Sequence, residues 1–230
     1  MNEIRVESFE EFHQCVENHS AKSTIYRGVK KDSYDLIPSV GRKETLPHKG
    51  MSKYTTKEIE LSLFTMFKER AIPYIEFMPR NDWEWLSIAQ HYGLPTRLLD
   101  WTRNPLVAVF FAIDHNHSND CAVYVFKNVL DININTDSIV DPFSLTTIGV
   151  FSPAHVTKRI IAQSGVFSVP IDPDKTLQCE DISKIIIPNY VAKKLKRILH
   201  KYGINKATLF PDLDGLTKHL IWLRLGNAHS

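Results

Sequence analysis

Residues 87–114 read SIAQHYGLPTRLLDWTRNPLVAVFFAID, and the second half of that stretch decides the fold. Asn104-Pro105 pairs a capping side chain with a proline in the first helical turn, where its missing N–H does no harm. The run 106–113 that follows is apolar all round, as in a helix buried against a sheet. Working outward, residues 121–126 (CAVYVF) are apolar on both faces and predict a central strand. Residues 23–29 (STIYRGV) predict a strand that carries an arginine and ends at a glycine. Residues 166–169 and 182–187 predict two more. These segments imply a mixed α/β (α+β) fold: a central mixed sheet containing Tyr26, Val123, Phe167 and Ile186, with helices packed outside it.

Helical signals surround the strands. Ser8 and Glu11 form a capping box ahead of Phe9, Phe12 and Val16. Residues 56–74 place Ile59, Leu63, Phe67 and Ala71 at steps of four, with Met66 beside them, which predicts that this face turns to the core. Asp82 is the expected cap of a helix over 83–92 that stops at Gly93. Residues 189–202 predict a helix with Val191, Leu195, Ile198 and Leu199 inward, and a last helix is expected within 210–225. Residues 30–54 are broken by Pro38, Gly41, Pro47 and Gly50, a length typical of binding loops and lids. Residues 130–153 show only short strand-like pieces. With no repeat or linker, one domain over 1–230 is expected.

Composition narrows the function classes. Hydrophobic residues make up 43% and charged residues 23%, and 28 basic against 26 acidic residues leave a net charge of +2. That balance supplies no global attraction to nucleic acid. Cys15, Cys121 and Cys179 are odd in number and widely spaced, which argues against disulfides and zinc. The opening MNEIRVESFEEFHQ is too polar for a signal peptide, and the longest apolar run is too short to span a bilayer, so a soluble, cytoplasmic protein without membrane contact is expected. Dinucleotide, P-loop, zincin and nucleophile-elbow motifs are absent. His115 and His117 suit a solvated turn, and no metal is expected.

Four polar features remain. Gln90, His91, Tyr92, Thr96, Arg97, Asp100, Trp101 and Thr102 lie between apolar stretches, so they run beside the core and must be paired. Arg97 and Asp100 are expected to be buried and bonded, to each other or to nearby backbone. The alternative is a pocket wall in which Arg97 or His91 meets a ligand. Tyr26-Arg27-Gly28 offers a guanidinium fork for a phosphate or carboxylate and a glycine that admits close approach to the backbone, and Arg27 is expected in the main pocket. Arg159 and Gln163 share a helical face before Gly165 turns the chain into a strand. Lys193, Lys194, Lys196, Arg197 and Lys201 lie along one helix, as a solvated face or as a nucleic-acid contact.

Tyr26-Arg27-Gly28, the stretch HYGLPTRLLDWT (residues 91–102) with Asn104-Pro105, the stretch AQSGVF (162–167) and LFPDLDGL (209–216) together resemble the FRG domain family of bacterial and phage-associated proteins. The aromatic-Arg-Gly strand is also similar to that of arginine-type mono-ADP-ribosyltransferases. That second resemblance implies an ADP-ribosyltransferase-like site that binds or cleaves NAD, in a toxin or in phage defence. It implies Tyr26, Arg27, Gly28, His91, Tyr92, Arg97 and Asp100 around the nucleotide, with Arg27, Gln163 and Thr102 in catalytic roles. Thr96 is an alternative hydroxyl to Thr102. No Ser-Thr-Ser or Glu-x-Glu is present, so Gln163 stands where the transferases carry an acid, with Glu180 a distant second. The competing expectation is a non-catalytic module that recognises a nucleotide, a phage or host protein, or nucleic acid.

Overall fold

The computed structural model describes residues 2–19, 23–42, 53–114, 119–136, 140–153 and 157–226. His115 and His117 lie outside the described residues, as do Pro47 and Gly50. Among the described residues are seven strands: β1 (Asn2–Arg5), β2 (Ile25–Val29), β3 (Leu99–Thr102), β4 (Cys121–Phe126), β5 (Gly149–Phe151), β6 (Gly165–Val169) and β7 (Ile182–Ile187). They form one mixed sheet in the order β1-β7-β4-β2-β3-β6-β5. Only β1 runs parallel to its neighbour, β7; every other pair is antiparallel. The expected sheet is present, with Tyr26, Val123, Phe167 and Ile186 on four of its strands.

Among the described residues eight α-helices accompany the sheet: α1 (Phe9–Asn18), α2 (Thr56–Ala71), α3 (Asp82–His91), α4 (Pro105–Ile113), α5 (Lys158–Ala162), α6 (Asn189–Lys201), α7 (Lys206–Leu209) and α8 (Leu213–Leu225). Ser8 caps α1 through the Glu11 N–H, and Asn104 caps α4 ahead of Pro105, as expected. The cap of α3 is Asn81, whose side chain accepts from the Glu84 N–H, so Asp82 is the first helical residue instead of the cap. Gly93 follows α3 at φ +85°, a conformation that favours glycine. The turn into β6 is made by Ser164 at φ +49°, with Gly165 already in the strand.

Three apolar clusters hold the layers together. In the first, α1, α4 and α6 pack on β2, β4 and β7, with Val107, Val109, Phe110, Val191, Leu195 and Leu199 buried. In the second, Leu36 and Leu177 cover Ile25, Trp101, Tyr124 and Phe126. The third joins α2 and α3 to β5 and β6 through Phe64, Trp83, Leu86, Phe151 and Phe167. Here α2 departs from expectation. It turns Glu60, Phe64 and Ala71 inward, while Ile59, Leu63 and Phe67 are only half-buried. The reason is an ion pair described below.

The glycine of β2 belongs to this packing. A Cβ at Gly28 would sit 1.9 Å from the Ala108 carbonyl oxygen and 2.7 Å from the Ala112 nitrogen. Helix α4 therefore occupies the space that the sequence reserved for a ligand. Both obstacles are backbone atoms in a buried helix, so they cannot step aside. Gly28→Ala is expected to destabilise the fold by about 1–3 kcal/mol, measured as a lowered urea midpoint; an unchanged midpoint would show that α4 does not close on Gly28.

Candidate functional site

The segment that links α3 to β3 is held from two sides. Thr96 is buried and exchanges hydrogen bonds with Ser39: its N–H donates to the Ser39 Oγ at 3.1 Å, and the Ser39 hydroxyl donates to its carbonyl at 3.3 Å. Its own hydroxyl donates to the Gln90 Oε1 at 2.7 Å and accepts from the Leu98 N–H at 3.1 Å. Gln90, its oxygen thus satisfied, donates from Nε2 to the Asp100 Oδ2 at 2.8 Å. A chain of bonds therefore runs from the loop after β2 to the second residue of β3.

Arg97 and Asp100 do not pair with each other. Arg97 is 2% exposed, and its carboxylate partner is Glu60 of α2, 1% exposed. Nη2 and Nε donate to the Glu60 Oε2 at 2.7 and 2.9 Å, while the Arg97 backbone N–H donates to Oε1 at 2.6 Å. Nη1 reaches the Pro142 carbonyl at 3.3 Å, and the guanidinium lies 4.7 Å from the centre of the Phe143 ring. Burial still holds the Glu60 carboxyl above its ordinary range, outweighing the opposing pull of Arg97. Each guanidinium nitrogen of Arg97 is hydrogen-bonded inside the protein and the side chain is buried, so it shapes the site from beneath.

Asp100 has the opposite character. Its side chain is 58% exposed, and that of Arg27 beside it is 15% exposed. Strands β2 and β3 share only the register pair Tyr26↔Thr102, and beyond it the Arg27 Nη1 reaches the Asp100 carbonyl at 2.5 Å and the Oδ2 at 3.6 Å. The Arg27 Nε is buried with no hydrogen-bond partner. Burial lowers the Arg27 pKa and Asp100 opposes that shift; a guanidinium remains charged under such a shift. Arg27 lines neither the cavity beside Lys196 and His200 nor the one between α2 and α3. It has the carboxylate partner that a structural arginine needs.

The other sequence candidates divide in the same way. Tyr26 is buried in the first cluster, and the Thr102 hydroxyl is committed: it donates to the Gln163 carbonyl at 2.6 Å and accepts from the Asn104 N–H at 3.0 Å. The Gln163 side chain donates to the Leu209 carbonyl at 3.1 Å, and Arg159 stacks 4.5 Å over Phe210, so both fasten α5 to the α7 end. His91 is half-buried, with Nδ1 3.5 Å from the Thr157 hydroxyl, and Tyr92 is exposed edge-on to it at 4.9 Å. Burial first, then Arg159, lowers the His91 pKa. Lys196 leaves the basic face of α6 to pair with Asp114 at 3.5 Å, while Lys193, Lys194, Arg197 and Lys201 are exposed. Burial pushes the Cys121 thiol up to about 12, which makes it inert. No group of three or more His, Cys, Asp or Glu residues among the described residues could hold a metal, and no helix among them is long and apolar enough to cross a membrane. Sequence reasoning missed Glu60, and also the orienting role of Gln90; Arg97 needing a partner was the signal for the first.

Fold and site together define a mixed-sheet domain that presents one oriented carboxylate at the exit of a polar segment. The FRG domain model matches residues 22–121, a span containing β2, α2, α3, β3 and α4. Residues 22–121 thus match the FRG domain, and Arg27, Gln90, Arg97 and Asp100 all fall within that match. The segments at 162–167 and 209–216 lie beyond that match. Comparison with curated proteins and with solved structures returns no match.

Two measurements separate the roles of these groups. Glu60→Ala strands a buried guanidinium and is expected to lose about 3–5 kcal/mol, whereas Asp100→Ala, at an exposed pair, is expected to lose no more than about 1 kcal/mol. Similar losses in both would contradict the assignment. For His91 the folded pKa is depressed, so the unfolded chain takes up the proton first as pH falls. Its contribution to stability is then present above its ordinary 6.5 and is lost as pH drops below that value. NMR titration of the His91 ring should give a midpoint below 6.5, and a midpoint at or above it would refute the burial argument.

Proposed function

We propose that this FRG domain binds a ribose-bearing nucleotide at Arg27, Gln90 and Asp100, with NAD as the candidate ligand. One observation carries the reading: the Asp100 carboxylate faces solvent, yet Gln90 fixes its Oδ2 at 2.8 Å and Arg27 stands behind it at 3.6 Å. An oriented carboxylate is the group that accepts from the paired hydroxyls of a ribose. A free side chain would have to give up rotamer freedom on binding; this one has already done so. Arg27 then acts as a positioning residue for Asp100, and its Nη1 is not available as a phosphate clamp. His91, whose pKa burial lowers, is close enough to Asp100 to feel its charge.

We extend the proposal to ADP-ribosyltransferase-like chemistry at the same group. Asp100 supplies the acid that Gln163 lacks, next to the positive charge that develops on the ribose as the bond to nicotinamide breaks. Water or an acceptor nucleophile adds to the ribose C1′ and releases its proton to solvent, and the electron pair of the broken bond leaves with neutral nicotinamide. A toxin or phage-defence role rests on that cleavage. The second reading, a recognition module without chemistry, is favoured by the internal commitment of Thr102 and Gln163. A protein or nucleic-acid target is part of either reading, with Lys193, Lys194, Arg197 and Lys201 as the exposed basic face.

Calorimetric titration with NAD and with ADP-ribose, followed by an assay for released nicotinamide, tests both readings. Wild type is expected to bind; Asp100→Asn should weaken binding about tenfold to a hundredfold through loss of a charged acceptor, with its melting temperature retained. Arg27→Lys should weaken binding as well, because lysine lacks the fork that holds Asp100. Binding without nicotinamide release selects the recognition module. Absence of binding of either ligand at millimolar concentration overturns the nucleotide proposal.

A further inference from the structure

A second site lies on the far side of α3. Between α2 and α3 is a cavity of about 430 Å³ whose walls include Leu63 and Phe67 from α2, Ile88 from α3, and Leu94 beyond it. All four are half-buried, and Met66, Tyr74 and Tyr92 at the same cavity are 42%, 86% and 70% exposed. Leu63 and Phe67 belong to the apolar stripe of α2 that the periodicity assigns to the core. The stripe is left half-covered because Glu60 is drawn inward to Arg97, which rotates α2 about its axis.

The walls carry one charged residue. Arg70 is exposed and has no ion pair or hydrogen bond among the described residues. Its neighbours differ: Lys68 is paired with Asp82 at 2.6 Å and Arg80 with Glu84 at 2.9 Å. An apolar cavity with one free guanidinium matches a molecule with an apolar body and one anionic group. The volume lies within the small-molecule range, roughly 300–1,000 Å³. We propose that the α2–α3 cavity binds a small amphipathic anion of the medium-chain carboxylate class, with Arg70 at its head and Leu63, Phe67, Ile88 and Leu94 along its chain. The site is separate from Asp100, and its occupancy does not depend on the nucleotide reading.

Dodecanoate, kept below its micelle concentration, is the probe, and dodecanol is its uncharged counterpart. Calorimetry of the whole chain should give saturable binding of one dodecanoate. Arg70→Gln should weaken dodecanoate about tenfold to a hundredfold while leaving dodecanol and the melting temperature unchanged. Phe67→Ala should weaken both probes. Because Arg70 is exposed and unpaired, its variant tests the head group without endangering the fold, and the dodecanol comparison in wild type tests it with no substitution at all. The proposal is overturned by non-saturable uptake, by equal affinity of wild type for the two probes, or by an Arg70→Gln variant that binds dodecanoate as tightly as wild type. Binding of an amphipathic helical peptide in place of dodecanoate would overturn it too.

Discussion

The buried pair between Arg97 and Glu60 is the constraint on which the remaining arrangement depends. Both side chains are within 3% of full burial. Withdrawing two charges from water carries a penalty of several kcal/mol per ion, and attraction repays it only where geometry is excellent and other valences are filled. Those conditions are met: two guanidinium N–H groups and a backbone N–H fall on one carboxylate, a carbonyl takes another donor, and Phe143 covers the ring plane. An apolar pair of the same volume would bind α2 to the sheet as strongly. It would not fix the rotation of α2 or the path of the chain into β3.

Two consequences follow from that path. Thr96 and Arg97 are adjacent, so the bonds that anchor Arg97 also seat Thr96 between Ser39 and Gln90. Gln90 is thereby turned toward Asp100, and the strand residue three positions beyond Arg97 emerges at the surface with its carboxylate already directed. The same anchoring turns the leucine and phenylalanine of α2 away from the core and opens the cavity beside Arg70. The fold thus has its rigid parts buried and its two candidate binding groups, Asp100 and Arg70, in contact with solvent on either side of α3.

Much of the scaffold was legible because local chemistry decided it. Asn104-Pro105 with its apolar run specified α4, CAVYVF specified the buried β4, and Ser8 with Glu11 specified the start of α1. Strand β1 was not legible: NEIR is short, mostly exposed at the sheet edge, and owes its form to pairing with β7. Strand β3 was hidden because Leu99–Thr102 carries Asp100 and resembles a polar turn. Pairing across distance was the larger obstacle. Glu60 lies 37 residues from Arg97 at a helical position that reads as solvent-facing, so the arginine's need for a partner was visible while the partner was not. Gly28 shows a similar limit, since a glycine announces that something approaches closely and cannot say whether it is a ligand or Ala108.

We propose that Asp100, held by Gln90 and Arg27, meets a ligand, while Arg97 builds the shelf beneath it. Amide and side-chain NMR shifts, followed as NAD is added to the isotopically labelled protein, test this most directly. The account predicts saturable shifts centred on the Asp100 amide, the Gln90 side-chain NH₂ and the Arg27 Nε–H, with the Arg97 Nε–H unmoved. Shifts centred elsewhere, with Gln90 and Asp100 silent at millimolar NAD, would contradict it.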